Sequence, residues 1–303
     1  MKRYTLIHRH DKNNVGDLAS NPLQYFLRDD NYTIYDIANL KQSSYDDNRP
    51  VIIGGGGLIG NLNFTNTLVS LIGSADKNAL KNTFESKWLA VDPANRDLSN
   101  RFNADFHQLI KTYLKQLSEP KTPRIIWGAG HNTDIPKKSS SLIIPDYLLE
   151  FDMVGIRDNV NDFKWVPCAS CMHPALRKTY TVKNEVIWFE HKKQLIKDFG
   201  SEPIPRFANS GNNVEQTIEL LGSANVILTN SYHGAYWGTL LKKKVIVVEP
   251  WSTKFLNFRH QPALMSSTEN WRDIIDDVPV FQNALEECMS TTEEWWTEVK
   301  GAT

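Results

Sequence analysis

The chain has 303 residues, and its shares of hydrophobic (41%) and charged (23%) residues are those of an ordinary globular protein. The 34 basic and 35 acidic side chains leave a formal net charge of −1, which argues against nucleic acid or an anionic membrane surface as the main partner. No apolar run approaches the roughly 20 residues of a membrane span, and the first residues lack the apolar stretch of a signal peptide. Three cysteines are too few for a disulfide scaffold and fit a reducing compartment, so we expect a cytoplasmic protein.

Short apolar runs alternate with longer amphipathic or polar stretches in the first half of the chain. This alternation is typical of β-α-β units and of a mostly parallel sheet. A helix interrupted at Pro22 is expected after the first strand. The remaining expected elements are strands within 4–10, 32–37, 49–60, 124–130 and 152–158, and a helix over 106–117.

The second half repeats the alternation after a proline-containing stretch in which the apolar pattern lapses. Strands are expected at 185–191, 225–230 and 244–250, and helices at 212–224, from Tyr232 onward and within 281–300. Asn212 or Asn213 can cap the helix over 212–224, and Gly222 offers a stop at its end. We therefore expect two α/β domains, 1–175 and 176–303, that face a cleft, with the C-terminal helix packing back on the first domain.

Four stretches with glycine follow predicted strands of the first half. Ligands of open parallel sheets gather at the carboxyl ends of the strands, where glycines let backbone N–H groups approach a ligand. Tight packing between a strand and a helix is an equally common reason for such glycines. The spacing matches neither a dinucleotide fingerprint nor a P-loop. The four stretches are NNVGD (13–17), GGGG (54–57), WGAGHN (127–132) and GIRD (155–158).

The stretch TNSYHGAYWG (229–238) places His233 in the first turn of a helix that follows a strand. Backbone N–H groups are unpaired there and the helix dipole is positive, which suits a phosphate or a carboxylate. An imidazole in this position can also supply a proton to a departing oxygen. A core histidine bonded to a backbone carbonyl is the alternative. The position after a strand, with Gly234 beside the ring, favours the functional interpretation.

Two further stretches carry groups with possible chemistry. Cys168, Cys171 and His173 have a zinc-like spacing, but a second ligand pair is missing, and a structural loop with reduced cysteines is the preferred interpretation. FEHKK (189–193) and STKFLNFRH (252–260) each contain a histidine and basic residues after a strand. Such groups usually form a solvated face, although Lys254 and Arg259 are also what an anionic substrate needs.

Taken in order, these stretches resemble the polysaccharide pyruvyl transferase family. The resemblance rests on NVGD, IIGGGGLIG, WGAGHN, VGIRD and SANVILTNSYHGAYWGTLLKKKVIVV followed by STKF, and covers residues 5–260. It implies two Rossmann-like domains whose parallel sheets face a cleft, as in GT-B glycosyltransferases. It also implies transfer of the enolpyruvyl unit of phosphoenolpyruvate to a sugar of a polysaccharide or lipid-linked glycan precursor, which forms a pyruvate ketal and releases phosphate. Neither a cofactor nor a metal is implied.

The resemblance also assigns roles to individual residues. His233 corresponds to the catalytic histidine that protonates the substrate or the leaving phosphate. Arg157 matches the arginine of the family's RD stretch and clamps an anion, and Asp17 orients or deprotonates a sugar hydroxyl. The implied substrate-binding residues are Asn14, Gly16, Gly55, Gly56, Gly57, His131, Asn132, Asn230, Ser231, Tyr232, Gly234 and Lys254.

The chain departs from the family pattern at Ser231, where many members have arginine two residues before the histidine. Lys254, Arg259 or Arg157 would then have to supply that charge. Two alternatives stay open at this point. One is a glycosyltransferase of the same architecture with a nucleotide-sugar donor, for which Glu249 could bind the ribose. The other is a glycan-binding protein without activity, suggested by the missing arginine and nine tryptophans.

Overall fold

The computed structural model describes residues 3–37, 49–59, 122–132, 148–149, 151–193, 203–266 and 270–303. Within these ranges the chain has a mixed α/β fold with two sheets of parallel strands, so the predicted α/β class is confirmed. The strands are β1 (Tyr4–His8), β2 (Tyr32–Asp36), β3 (Val51–Gly54), β4 (Gly57–Ile59), β5 (Arg124–His131), β6 (Met153–Ile156), β7 (Lys164–Trp165), β8 (Asn184–Glu190), β9 (Arg206–Ala208), β10 (Ala224–Thr229), β11 (Lys244–Val248) and β12 (Ala263–Met265).

The first sheet has the order β2-β1-β3-β5-β6-β7, with β4 paired to β5, and the second has the order β12-β11-β10-β8-β9. The central strands are short, β-branched and buried on both faces, which is the pattern of a parallel sheet covered by helices. The described helices are α1 (Val15–Ala19), α2 (Val214–Gly222), α3 (Tyr232–Leu240), α4 (Trp271–Ile274) and α5 (Ala284–Ala302). None of them is both long and apolar enough to cross a membrane.

Helix α5 contributes to the cores of both halves of the chain. Its buried residues recur every three or four positions, so one face of the helix is apolar. Leu285 and Cys288 pack with the second sheet, and Trp296 stacks on Trp127 and Phe26 beside the first. The last helix therefore spans both sheets.

Several predicted element boundaries differ from the structure. The first helix comes earlier than expected and ends before Pro22, which is followed by a short 3₁₀-helix, Leu23–Tyr25. The strand expected to run into the four glycines is β3, and a second strand that was not expected, β4, follows them, because Gly55 and Gly56 adopt φ of +75° and +81° between the two. The predicted helix over 106–117 lies outside the described residues.

Helix α2 ends at Gly222, where the sequence predicted a stop. Asn213 caps the start as expected, accepting from the N–H of Gln216 at 2.9 Å. At the other end the cap is Ser223, whose N–H bonds carbonyls of the last turn, and Gly222 is the last helical residue. A Cβ on Gly222 would lie 2.2 Å from the Tyr180 ring. This glycine is therefore required by packing rather than by helix termination.

Candidate active site

A cavity of about 210 Å³ lies where the carboxyl ends of strands from both sheets meet. This is the edge at which parallel sheets bind ligands. The cavity brings together Asp17, Arg157 and His233, the three residues expected to act in catalysis. Seven of the expected binding residues also line it: Asn14, Gly56, Gly57, Asn132, Ser231, Tyr232 and Lys254.

Arg157 is a buried cation that forms no ion pair with a described carboxylate. It follows β6, and its side chain is 5% exposed. The guanidinium carbon lies 3.6 Å from the centre of the Tyr232 ring, and Nε has no hydrogen-bond partner among the described residues. The side chain fits because Gly130 has none, since a Cβ there would lie 2.1 Å from Nε. A buried charge that lacks a counterion is costly, so this arginine is suited to bind an anion from a ligand.

Lys254 is a second buried cation in the same cavity. It is 8% exposed, and its Nζ lies 3.7 Å from the centre of the Trp251 ring. Burial and the nearby Arg157 charge lower the pKa of Lys254 to about 7, against a smaller opposing effect of Asp17. A bound anion would favour the charged ammonium.

Asp17 is the acidic group of the cavity. It lies in the first turn of α1, whose start is capped by the side chain of Asn14. Burial raises the pKa of Asp17 to about 7, and this effect exceeds the opposing effect of the Arg9 charge. Near neutral pH the carboxyl group can therefore exchange a proton with a hydroxyl.

His233 is the second residue of α3 and is 6% exposed. Its Nε2 lies 3.7 Å from the sulfur of Cys168. Its Nδ1 lies against Gly16, where a Cβ would come within 2.1 Å of it. Burial, then the charges of Arg157 and Lys254, lower the pKa of His233 to about 3, so the imidazole of the protein alone is neutral at pH 7.

Ser231 caps helix α3 at the position where the resembled family often has arginine. It is fully buried, its side chain makes no capping bond, and its Oγ has no hydrogen-bond partner among the described residues. Asn209 contributes a second unpartnered oxygen, Oδ1, to the same cavity. The first N–H groups of α3 also lack carbonyls one turn back. Arg157 and Lys254 lie in the same cavity as Ser231 and provide the positive charge.

Five predicted binding residues do not line the cavity but support it. Gly16 makes room for the His233 ring, Gly55 turns the chain against the Ser20 carbonyl, and Gly234 packs on Phe189 and Thr229. His131 contacts the hydroxyl of Thr253 through Nδ1 at 2.8 Å and so joins the two halves. Asn230 accepts from the N–H of His191 at 2.7 Å.

Six cavity residues were not predicted: Arg9, Ile37, Leu58, His191, Asn209 and Trp251. Arg9, His191 and Asn209 directly follow β1, β8 and β9, so the rule of strand ends could have identified them. Arg9 forms an ion pair with Asp36 at 2.7 Å. Burial lowers the pKa of His191 to about 4.

The cysteine stretch forms two short 3₁₀-helices, Ala169–Met172 and Pro174–Arg177. Cys168 and Cys171 are fully buried and make no disulfide. Cys168 contacts His233, whereas Cys171 contacts the hydroxyl of Thr292 at 3.3 Å. Over the described parts of the chain, no group of three histidine, cysteine or acidic side chains could hold a metal ion.

A larger groove of about 650 Å³ lies at the C-terminal end of α3, beside α5. The charged side chains at its rim include Lys178, paired with Glu215, and Lys242, paired with Glu286. These pairs are exposed to solvent, and such pairs rarely mark a site. The smaller cavity is the better candidate, because two of its cations, Arg157 and Lys254, are buried and form no ion pair with a described carboxylate.

No protein-family model matches the chain, and no curated protein matches it. Among solved structures, an uncharacterized protein from Klebsiella pneumoniae subsp. pneumoniae NTUH-K2044 is similar at 15% sequence identity. The match covers 82% of this chain and 83% of that chain, with a TM-score of 0.38. A likeness at this level supports no argument about function.

Proposed function

We propose that the chain is a polysaccharide pyruvyl transferase that moves the enolpyruvyl unit of phosphoenolpyruvate onto two hydroxyls of a sugar. The observation that carries the proposal is the pair of buried cations, Arg157 and Lys254, which have no carboxylate partner among the described residues and share one cavity. Phosphoenolpyruvate has two anionic groups that would match them. A volume of about 210 Å³ suits a small ligand, since pockets for larger organic ligands start at roughly 300 Å³.

The reaction requires two proton transfers away from the sugar. Both hydroxyl oxygens bond to C2 of the enolpyruvyl group, and the bond from C2 to the phosphate oxygen breaks. In the overall balance, one hydroxyl proton is added to C3, which becomes a methyl group. The other is taken up by the released phosphate. The site therefore needs a base for the hydroxyls, an acid for the donor, and cations for the phosphate and the carboxylate.

The cavity residues match these needs. Asp17, with a pKa of about 7, is the group suited to take a hydroxyl proton. Arg157 and Lys254 would bind the two anionic groups, with the Ser231 hydroxyl and the first N–H groups of α3 as further donors. Burial is the largest cause of the lowered pKa of His233, and the charges of Arg157 and Lys254 add to it. A bound anion would offset these two charges and raise the pKa from about 3 toward its ordinary value.

The proposal extends to architecture and location. Two parallel sheets whose strand ends meet at one cavity support an arrangement of two Rossmann-like domains of the GT-B kind. The acceptor would be a glycan or a lipid-linked sugar precursor. Three free cysteines support a cytoplasmic enzyme, where phosphoenolpyruvate is available.

The other two functions considered have less support from the site. A nucleotide-sugar donor needs a carboxylate for its ribose, but Glu249 is exposed and is not among the described residues that line the cavity. For a glycan-binding protein the tryptophans should line the site. Among the described residues, Trp251 is the one tryptophan in this cavity, whereas Trp127, Trp237 and Trp296 are core residues.

The proposal is tested by incubating the protein with phosphoenolpyruvate and a panel of sugars and sugar phosphates. Phosphate release is followed together with the NMR methyl signal of a pyruvate ketal. We expect both signals with the correct class of acceptor, and neither with His233→Ala, whose fold is checked by circular dichroism. Binding of a nucleotide sugar without phosphate release from any acceptor would instead support the glycosyltransferase alternative.

A further inference from the structure

A buried chain of polar contacts runs from the Trp237 indole through Ser170 and Cys168 to the ring of His233. The indole Nε1 of Trp237 lies 3.0 Å from Ser170 Oγ, which lies 3.3 Å from the sulfur of Cys168. That sulfur lies 3.7 Å from Nε2 of His233. Trp237, Ser170 and Cys168 have no exposed surface, so water does not compete for these contacts.

The donors and acceptors along this line can be ordered from one end. An indole N–H can only donate, so Ser170 Oγ accepts from Trp237. The hydroxyl of Ser170 has one proton to donate, and the Cys168 sulfur is the acceptor it contacts among the described residues. The thiol proton of Cys168 is then left for its remaining contact, Nε2 of His233. Burial raises the pKa of Cys168 above its ordinary value, so the thiol keeps this proton.

We propose that Cys168 is a positioning residue: its thiol donates to Nε2 of His233 and holds the imidazole proton on Nδ1. Neutral histidine has one donor and one acceptor nitrogen, and the partner of one nitrogen decides the role of the other. Nε2 points at a fully buried sulfur, so Nδ1, which makes no hydrogen bond to any described residue, is the nitrogen left for a ligand in the cavity that His233 lines. The nitrogen that faces a ligand is therefore an N–H donor.

This tautomer gives His233 a role in its neutral form. The pKa of about 3 leaves little imidazolium at pH 7, but a neutral imidazole with its proton on Nδ1 can donate to an oxygen of an anion. Arg157 and Lys254 line the same cavity and would hold that anion. The importance for turnover rests on the proposed function, whereas the assignment of the tautomer is argued from the buried contacts and does not depend on that function.

The tautomer is measured by NMR on protein labelled with ¹⁵N-histidine. The ¹⁵N shifts distinguish a protonated ring nitrogen from an unprotonated one, and loss of signals in His233→Gln assigns the residue. We expect a protonated Nδ1 and an unprotonated Nε2 in the wild-type protein. Cys168→Ala should give a mixture of tautomers, and Cys168→Ser, which keeps a donor, should restore the wild-type pattern.

Cys171→Ala is the matched control, since Cys171 is equally buried but contacts Thr292 rather than His233. It should leave the His233 signals unchanged. A proton on Nε2 in the wild-type protein, or an unchanged His233 spectrum in Cys168→Ala, would overturn the assignment. If Cys168→Ala does not fold, two other variants test the assignment. Cys168→Ser should keep the wild-type tautomer, and Ser170→Ala should shift the tautomers toward a mixture.

Turnover supplies an independent readout. If phosphate is released from phosphoenolpyruvate, Cys168→Ala should lower kcat about tenfold, the effect of one lost hydrogen bond, and leave KM within twofold. An unchanged kcat would show that Cys168 does not position His233 for turnover. If no phosphate is released by the wild-type protein, the proposed function fails, while the NMR result still decides the tautomer.

Discussion

The guanidinium carbon of Arg157 lies 3.6 Å from the centre of the Tyr232 ring. Arg157 follows a strand of the first sheet, and Tyr232 begins the helix that follows a strand of the second, so the contact joins the two halves at the cavity. An aromatic face attracts a cation without neutralising it. Arg157 is therefore held in place while its charge stays available to an anion.

Replacing the Tyr232 ring tests this arrangement. Tyr232→Leu removes the ring under the guanidinium and should weaken phosphoenolpyruvate binding by about 1–2 kcal/mol, the value of a desolvated cation–π contact. Tyr232→Phe keeps the ring and is the matched control, with an affinity close to that of the wild-type protein. Calorimetric titration measures both. Equal affinities for the two variants would show that the ring does not position Arg157.

Anion binding should weaken as the pH rises above 7. The pKa of Lys254 is lowered to about 7 by burial and by Arg157, and a bound anion would raise it, so binding takes up a proton above pH 7. Asp17, with its pKa raised to about 7, gains a negative charge over the same range and acts in the same direction. Each group raises the Kd for the anion by up to about tenfold per pH unit. His191 and His233 are neutral there.

The measurement is the Kd for phosphoenolpyruvate between pH 6 and pH 9. Lys254→Arg stays charged throughout and should flatten the dependence, and Asp17→Asn should remove the remaining slope. An affinity that rises with pH, or a slope that both substitutions leave intact, would contradict the charges assigned to the cavity.

Gly16→Ala should lower turnover about a hundredfold by displacing His233. The added Cβ would lie 2.1 Å from Nδ1 of His233, so the ring must move, and a displacement on the order of 1 Å can cost about a hundredfold in rate. Gly301→Ala is the control, because a Cβ on that helical glycine meets no neighbour. Phosphate release and thermal unfolding are measured for both. Wild-type turnover in Gly16→Ala would show that the position of the ring does not matter.

The packing of helix α5 on the first sheet is tested by Trp296→Ala. The Trp296 ring centre lies 5.4 Å from that of Phe26 and 5.8 Å from that of Trp127. Its removal should lower the free energy of unfolding by about 3–5 kcal/mol. Thr297→Ala, an exposed change on the same helix, should stay within about 0.5 kcal/mol. Denaturant unfolding measures both, and equal midpoints would contradict the packing described.

The elements that surround His233 could be predicted from the sequence. The buried run that forms β10 is continuous and β-branched, and the helix after it begins where the strand signal ends. The end of β3 at the glycines was predicted, but β4 was missed, because its three residues, Gly57–Ile59, are too few to show the pattern of a strand. The helix end at Gly222 was predicted, but the packing of the Tyr180 ring on this glycine was not, because Tyr180 lies in a distant part of the sequence.

The sequence could not predict which charged side chains form ion pairs and which line the cavity. Arg157 and Arg259 looked equally able to bind an anion, but Arg259 pairs with Glu287 at 3.1 Å and is half-exposed. Whether a cation has a partner depends on which elements fold beside it. Arg9 was not singled out, and His191 was taken for part of a solvated face, because local sequence does not show that two sheets bring their strand ends to one cavity.

The most direct test of the account is calorimetric titration of phosphoenolpyruvate into the wild-type protein, Arg157→Met and Arg259→Met at pH 7. We expect binding by the wild-type protein and by Arg259→Met, and a loss of about 1.5–3 kcal/mol or more in Arg157→Met, the value of a hydrogen bond to a charged group. Absence of binding to the wild-type protein, or equal binding by all three, would contradict the claim that this cavity holds the donor.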